Sequence, residues 1–437
     1  MQEIQTQIIE ALKQSAASDW VVRRETQRTN ELFFVRDQLD MNRAAETTDF
    51  IVTVYVDFEK EGESLRGHAQ INLSPLDSTE EITRQIEDGL AQAQLVENRY
   101  YPLPENAGEV VPAGRGPAEK SLRDQLVSRF PQLMDAFFHR ENPVAQVNSV
   151  ELFVEEKETQ VLTSKGVDVT YPHNTVEFEL VTDAEGQTES VEVFTIYKLA
   201  SLDVGRIAEI VDAQLEETAG RAVAEPARAQ ENARVLITGD AVEQFFDVYL
   251  NLAAAKPVFL HATRAQLGEP IVEGEAKNPV TIDMVPDLAH SPEARPIDGE
   301  GVLLKPYRLI DHGVVKAINA DAQYGHYLGV PITGGVRTYV VEPGTVAWAD
   351  LEAEPRIEIL KFSSFQADFT TGDFGGEFRL AKQHEDGKTR FITAGAISEN
   401  LFTQIPKMQF TVERQEGAHS LVPKAVILDG VTITGSN

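Results

Sequence analysis

Nine histidines, at positions 68, 139, 173, 261, 290, 312, 326, 384 and 419, are the imidazole donors of this chain, and no two of them stand at HExxH or HxH spacing. A helix-borne zinc motif of that kind is therefore missing. Cysteine is absent, which excludes disulfides, thiol nucleophiles and thiolate metal ligands together. Oxygen and imidazole remain. His312 and His326, with Asp298, Glu300 and Asp311 near them in sequence, would assemble an N/O site if the strands between them fold as a hairpin; for such histidines in an acidic protein, facing solvent is the commoner state. No GxSxG elbow and no GxxxxGK[ST] loop occurs. TGDFGG at 371–376 lacks the strand and helix that a nucleotide loop needs, so its glycines point to a turn or a close backbone approach, with a cleft wall as the alternative.

The 437 residues carry 39 Lys plus Arg against 70 Asp plus Glu, a formal charge of −31. A surplus of that sign repels a phosphate backbone and an anionic leaflet, so neither nucleic acid nor a membrane surface is an expected partner. No apolar run approaches the roughly 18 residues of a membrane span, and FIVTVYV from Phe50 is among the longest. The opening MQEIQTQIIEALKQS has the spacing of an amphipathic helix rather than a basic and then apolar leader, from which a cytoplasmic protein is expected.

The elements that position these residues fall into a repeating order. A helix over 3–16, with Ile4, Ile8, Ile9 and Leu12 on one face, precedes four strand-like stretches: WVVRRET, ELFFVRDQLDMNRAA, DFIVTVYVDF and SLRGHAQINL. EKEGES reads as a hairpin turn between the last two. Asp77 and Ser78 then offer caps for a helix over 79–94 that carries Ile82, Ile86 and Leu90. After a linker over 100–118, a helix over 119–139 leads to VNSVELFVEE, TQVLTSKGVDVTY, NTVEFELVT and SVEVFTIYKL, with DAEGQT as a turn, and to a helix over 203–220. Leu73, Leu76 and Asp77 answer Leu199, Leu202 and Asp203 at a constant offset. LxxLD is also a common strand exit, but with the shared element order it predicts two copies of an α+β unit, about 1–99 and 119–221, within an N-terminal domain 1–224.

Joints are expected at 112–117 and in ETAGRAVAEPARAQEN. From 225 to 437 the pattern becomes β-rich. VLITGD and the helix AVEQFFDVYLNLAAA, with Val242, Phe245, Phe246, Tyr249 and Leu250 on one face, are followed by short strand candidates at 279–284, 301–306, 314–320, 336–342, 356–365, 377–383, 390–397 and 425–431. The fold class expected is thus α+β: a duplicated N-terminal unit of antiparallel sheet and helices, then a β-rich C-terminal domain.

Five C-terminal segments carry a resemblance: DGEGV at 298–302, LIDHGVV at 309–315, GVPITGG at 329–335, TGDFGGEF at 371–378 and ITAGAISEN at 392–400. In their order and spacing they resemble the TldD/PmbA family, also labelled modulators of DNA gyrase. The resemblance implies a cytoplasmic proteolytic assembly with two kinds of subunit. The TldD-like kind carries HExxxH on a helix and is similar to a zinc metallopeptidase acting on unfolded or small peptides; the PmbA/TldE-like kind lacks that motif and forms a dimer with the active one.

In this chain Phe246, Asp247 and Asn251 fall opposite His, Glu and His. Phenylalanine has no lone pair for zinc, asparagine is a weak substitute for imidazole, and aspartate reaches less far than glutamate. The missing cysteine also removes the additional thiolate that the resemblance implies for the active kind. The helix accordingly reads as packing for a core or an interface. The resemblance implies a chain with no metal or cofactor of its own, zinc belonging to a partner. That partner is a homologous HExxxH subunit, or a second copy in a dimer, with a peptide as substrate and no direct DNA contact. Cleft candidates are Asp298, Glu300, His312, His326, Thr333, Gly334, Gly372, Asp373 and Phe374, and exposed backbone in GVPITGG and TGDFGGEF would take a peptide by strand addition. Two alternatives stand beside this: an active metallopeptidase using His312, His326 and nearby carboxylates, and a non-enzymatic regulator of DNA gyrase or a toxin system.

Overall fold

The computed structural model describes residues 2–105, 121–186 and 189–435. The joint expected at 112–117, the first residues of the helix expected from 119, and the last two residues of the DAEGQT turn lie outside the described residues.

Each half of the N-terminal part holds three long strands where the sequence suggests four. WVVRRET and ELFFV are one strand, β1 (Asp19–Val35), and the chain turns at Arg36, whose φ is 54°, into β2 (Gln38–Lys60). The polar middle of β1 does not break it, because cross-strand pairs such as Thr26 with Thr48 and Arg24 with Glu158 satisfy it. EKEGES does form the turn into β3 (Glu63–Leu73): Glu61 and Gly62 both have positive φ, 54° and 83°, the twist that a two-residue hairpin requires.

Helix α1 (Gln2–Gln14) precedes these strands, and α2 (Thr79–Ala93) and the short β4 (Asn98–Arg99) follow them. The second half repeats the order with α3 (Leu122–Phe138), β5 (Ala145–Thr163), β6 (Asp168–Glu185), β7 (Ser190–Leu199) and α4 (Val204–Ala222). All seven strands join one antiparallel sheet in the order β4-β3-β2-β1-β5-β6-β7, with the two halves meeting where β1 pairs β5 from Val21↔Thr163 to Val35↔Ser149. Helices bury their apolar stripes on this sheet. Ile4, Ile8, Leu12, Ile82, Ile86 and Leu90 pack on Val22, Phe50, Val52 and Val54, as Leu126, Leu133, Ile207 and Val211 do on Val150, Leu152, Val176 and Phe178.

The LxxLD echo is looser in space than in sequence. Leu202 is buried, whereas Leu76 is 91% exposed. Asp203 caps α4, but α2 is capped by Ser78 in a reciprocal box with Glu81, so the first helix starts one residue later against the motif.

Beyond α4 come β8 (Glu225–Pro226), β9 (Gln230–Ile237) and α5 (Asp240–Leu252). From β8 onward, the strands build a nine-stranded and a six-stranded sheet. Helix α5 packs on both: Phe245 meets Phe374 and Phe246 meets Phe410 of the larger, while Tyr339 of the smaller bonds to the helix. Several expected strands shrink or vanish. Residues 301–306 hold one isolated bridge, Ile297 to Leu303, and 314–320 keeps the strand Val314–Val315 and a bridge from Asn319 to Ala254. The stretch Ala322–Leu328 is a helix capped by Asp321. Part of the sheet face opposite the helices docks the C-terminal half, where Val21, Tyr55, Tyr101, Val161 and Tyr171 pack with Ile297, Leu303, Ala322 and Tyr327. No helix among the described residues is long and apolar enough to cross a membrane.

Candidate functional site

Helix α5 stands where the sequence places a metal helix, and its side chains point to three different environments. Phe246 is fully buried, its ring 5.3 Å from that of Phe410 and 5.4 Å from that of Phe245. Asn251 is exposed. In this chain the first of the two positions fills the core and the second faces solvent, so they do not share one environment.

Asp247 is enclosed in a network that sequence reasoning missed. Its Oδ1 faces His419 Nε2 at 2.9 Å and accepts the Tyr339 hydroxyl at 2.9 Å. One turn earlier, Glu243 accepts from Ser420 Oγ at 2.7 Å and from the backbone N–H groups of His419 at 2.9 Å and Ala418 at 3.1 Å, with His419 Nδ1 3.3 Å away. The imidazole therefore sits between two carboxylates spaced i and i+4 on one helix. Burial would depress the His419 pKa, but the Asp247 hydrogen bond and the Glu243 charge outweigh it and hold the imidazolium above its ordinary range. Oδ1 of the carboxylate that stands where a water-activating glutamate would be is already engaged by His419 and Tyr339, and the network clamps the 418–420 segment onto α5. Replacing Asp247 by asparagine weakens the bond to a charged partner, and an unfolding midpoint lower by the equivalent of about 2 kcal/mol at pH 6 is expected; denaturant titration measures it. The sequence signal was the Glu243 and Asp247 spacing, but nothing in GAHS, 172 residues away from Asp247, marks His419 as its partner.

The cleft candidates do not converge on one place. Asp298, Glu300, Thr333 and Gly334 come together beside the seven-stranded sheet. Buried Asp298 accepts from the N–H groups of Glu300 and Val302, each at 2.9 Å. A Cβ on Gly334 would lie 2.3 Å from Leu304 and 3.2 Å from Asp298 Oδ2, and its φ is 69°, so glycine is required there. Thr333 Oγ1 accepts from Ala320 N–H at 2.9 Å. Glu300 accepts from Ala322 N–H at 3.2 Å, and burial first, then the Asp298 and Asp321 charges, push its carboxyl up to about 7. Close by, fully buried Arg66 is neutralised by Asp19 at 2.8 Å and Asp57 at 2.6 Å.

His312 and His326 stay apart from one another as ligands. His312 occupies an exposed turn with φ 49° and pairs with Asp311 at 2.9 Å, while His326 is exposed on the helix Ala322–Leu328. Among the described residues no group of three or more His, Asp and Glu side chains is arranged to hold a metal ion.

The remaining segment, TGDFGG, starts as the turn expected of it, with Thr371 in the turn and Gly372 at φ 83°, and becomes strand from Asp373 onward. Phe374 is buried against Phe245, and the 373–378 backbone pairs with 395–400 on one side, with Gln366 and Ala367 on the other. Strand addition has no free edge here. The close approach foreseen for the glycines is real: a Cβ on Gly375 would lie 2.2 Å from the Ile397 carbonyl oxygen, and one on Gly372 would lie 2.5 Å from the Phe402 ring. Asp373 is exposed and bonds Asn400 at 2.8 Å.

Fold and site together define an α+β protein with a duplicated N-terminal half and a β-rich C-terminal half built round a closed helix. Residues 230–435 match the family described as the PmbA/TldA metallopeptidase C-terminal domain. The whole fold is similar to TldE from Thermococcus kodakarensis (TM-score 0.76, 18% identity, 99% of this chain and 100% of that one). It is also similar to a candidate modulator of a DNA gyrase from Thermotoga maritima MSB8 (0.77, 16%, 99% and 100%) and to another from Bacteroides thetaiotaomicron VPI-5482 (0.78, 14%, 100% and 99%). No curated protein matches significantly by sequence. The family match lies in the C-terminal half, and over the whole chain these solved structures share its fold.

Proposed function

We propose that this chain is the PmbA/TldE-like, non-catalytic kind of subunit: a cytoplasmic peptide-handling protein that pairs with a homologous HExxxH subunit and leaves zinc chemistry to it. The observation that carries the reading is the state of α5, where Phe246 fills the core and Asp247 is held by His419 and Tyr339. A side chain without a lone pair and a carboxylate already engaged make a poor zinc site. The charge of −31 supports a protein or peptide partner over DNA. The lining of the peptide cleft is proposed to come from Asp298, Glu300, Thr333 and Gly334, which share one place, and not from the paired strand at 373–378.

The test is a pull-down from the protein's own cells followed by peptidase assays on each subunit and on the pair. An HExxxH homologue is expected to copurify, this chain alone is expected to bind no zinc and to cleave nothing, and chelator-sensitive cleavage is expected of the pair. Zinc-dependent cleavage by this chain alone would overturn the reading and favour the atypical His and carboxylate enzyme.

A further inference from the structure

A cleft of about 210 Å³ opens between the helix-free face of the seven-stranded sheet and the loop at 292–299, and its lining departs from the character of the whole protein. Four of its side chains are cationic: Arg23 from β1, Lys157 from β5, and Arg295 and Arg337 from the C-terminal half. Three carboxylates face them, Glu25, Glu293 and Asp298, and each is already engaged. Glu25 is shared, forming ion pairs with Arg23 at 2.9 Å and with Lys157, so one carboxylate serves two cations. Asp298 is spent on backbone N–H groups. Glu293 reaches only exposed Arg337, at 3.7 Å. Arg295 donates to the Gly335 carbonyl at 3.0 Å and forms no salt bridge among the described residues. In a chain with 31 more acidic than basic groups, a concave place with surplus guanidinium is a built exception.

We propose that this cleft binds a peptide carboxylate, from a chain terminus or an Asp or Glu side chain, with Arg295 and Arg23 as the principal contacts. A guanidinium fork matches the two oxygens of a planar monoanion, and the surplus of one cation over the three carboxylates suits a single negative charge. A phosphate dianion would meet Glu25 and Glu293 with no charge left to balance it. Tyr171, Val161 and Ile297 supply an apolar wall for the residue that bears the carboxylate. Arg337 on its rim stands two residues along the chain from Tyr339, which donates to Asp247 of α5. The inference rests on the peptide-handling reading and adds to it a place and a polarity for the bound peptide.

Equilibrium dialysis of the full chain against mixed N-acetylated tetrapeptides tests it, with three pools compared: free C-terminal acids without Asp or Glu, the same peptides amidated, and amidated peptides containing Glu. The free-acid pool is expected to be retained at least about tenfold better than the first amidated pool, as loss of a charge-assisted pair implies. Arg295→Gln and, independently, Arg23→Gln are expected to erase that difference while circular dichroism stays unchanged. Retention of the Glu-containing amidated pool would assign the side-chain source, and its loss the terminal one; both support the site. Equal retention of all pools would overturn the carboxylate site and leave peptide handling standing. Retention of none would overturn both, and displacement by inorganic phosphate at lower concentration than by acetate would replace the carboxylate with phosphate.

Discussion

Replacing Phe246 by alanine is expected to lower the unfolding free energy by about 3–5 kcal/mol, the range for removing a fully buried phenylalanine. The ring is completely buried and lies among Phe245, Tyr249 and Phe410, so truncation leaves a cavity lined by rigid aromatic neighbours that cannot collapse into it. Denaturant and thermal unfolding measure the loss. Phe246→His is the more telling variant, because it restores the side chain that a metal helix carries at this position. It is expected to destabilise too, since an imidazole there is buried without a hydrogen-bond partner, and added zinc is expected to leave its melting temperature unchanged, because Asn251 lies exposed on another side of α5. A zinc-dependent rise in melting temperature for Phe246→His would mean that α5 borders an open metal cleft, and the non-catalytic reading would fail with it.

The long helices of this protein were legible because their signal is local, whereas short ones such as Ala322–Leu328 were missed. Ile82, Ile86 and Leu90 recur at one turn and are buried, and so are Phe245, Phe246 and Tyr249 on α5. Strand lengths were less so: the polar run in the middle of β1 resembles a break until its cross-strand partners are known, and partners are not local. The duplicated order survived this error since both halves merge strands in the same way. In the C-terminal half, strands of two or three residues such as Val314–Val315 and Tyr339–Val341 are too short to show alternation. The site divided along the same line. Asp298 and Gly334 were flagged as motif residues and do meet, but the clamp of Glu243, Asp247 and His419 joins a helix to a segment more than 170 residues on. Cleft residues Arg23 and Arg295 lay in strand and loop patterns that gave no reason to pair them.

Stability is expected to depend on pH through Glu300, and the sign is set by which state holds the proton. In the folded chain burial, reinforced by Asp298 and Asp321, pushes this carboxyl up to about 7 from an ordinary value of 4.5. Between those values the folded state retains a proton that the unfolded state has released, so stability is greatest below about 4.5, falls as pH rises and levels off above about 7. A displacement of this size corresponds to up to about 3 kcal/mol. Glu300→Gln keeps an oxygen to accept the Ala322 N–H and cannot ionise. The variant is therefore expected to match the wild type near pH 4.5 and to exceed it by up to about 3 kcal/mol at pH 8. His419 adds a term of the same sign, its folded value lying above 6.5, so its contribution is full below that pH and is lost as pH rises through the folded value. Asp19, Asp311 and Asp373 act oppositely, but their values are lowered from 3.8, which confines their loss to more acid solution. The terms of His419, Asp19, Asp311 and Asp373 cancel in the difference between wild type and variant, which leaves Glu300 with its charge coupling to Asp298 and Asp321. Urea titrations from pH 4.5 to 8.5 give that difference directly, and a value that stays constant across the range would show that the seam between the seven-stranded sheet and the C-terminal half tolerates an ionised Glu300 at no cost.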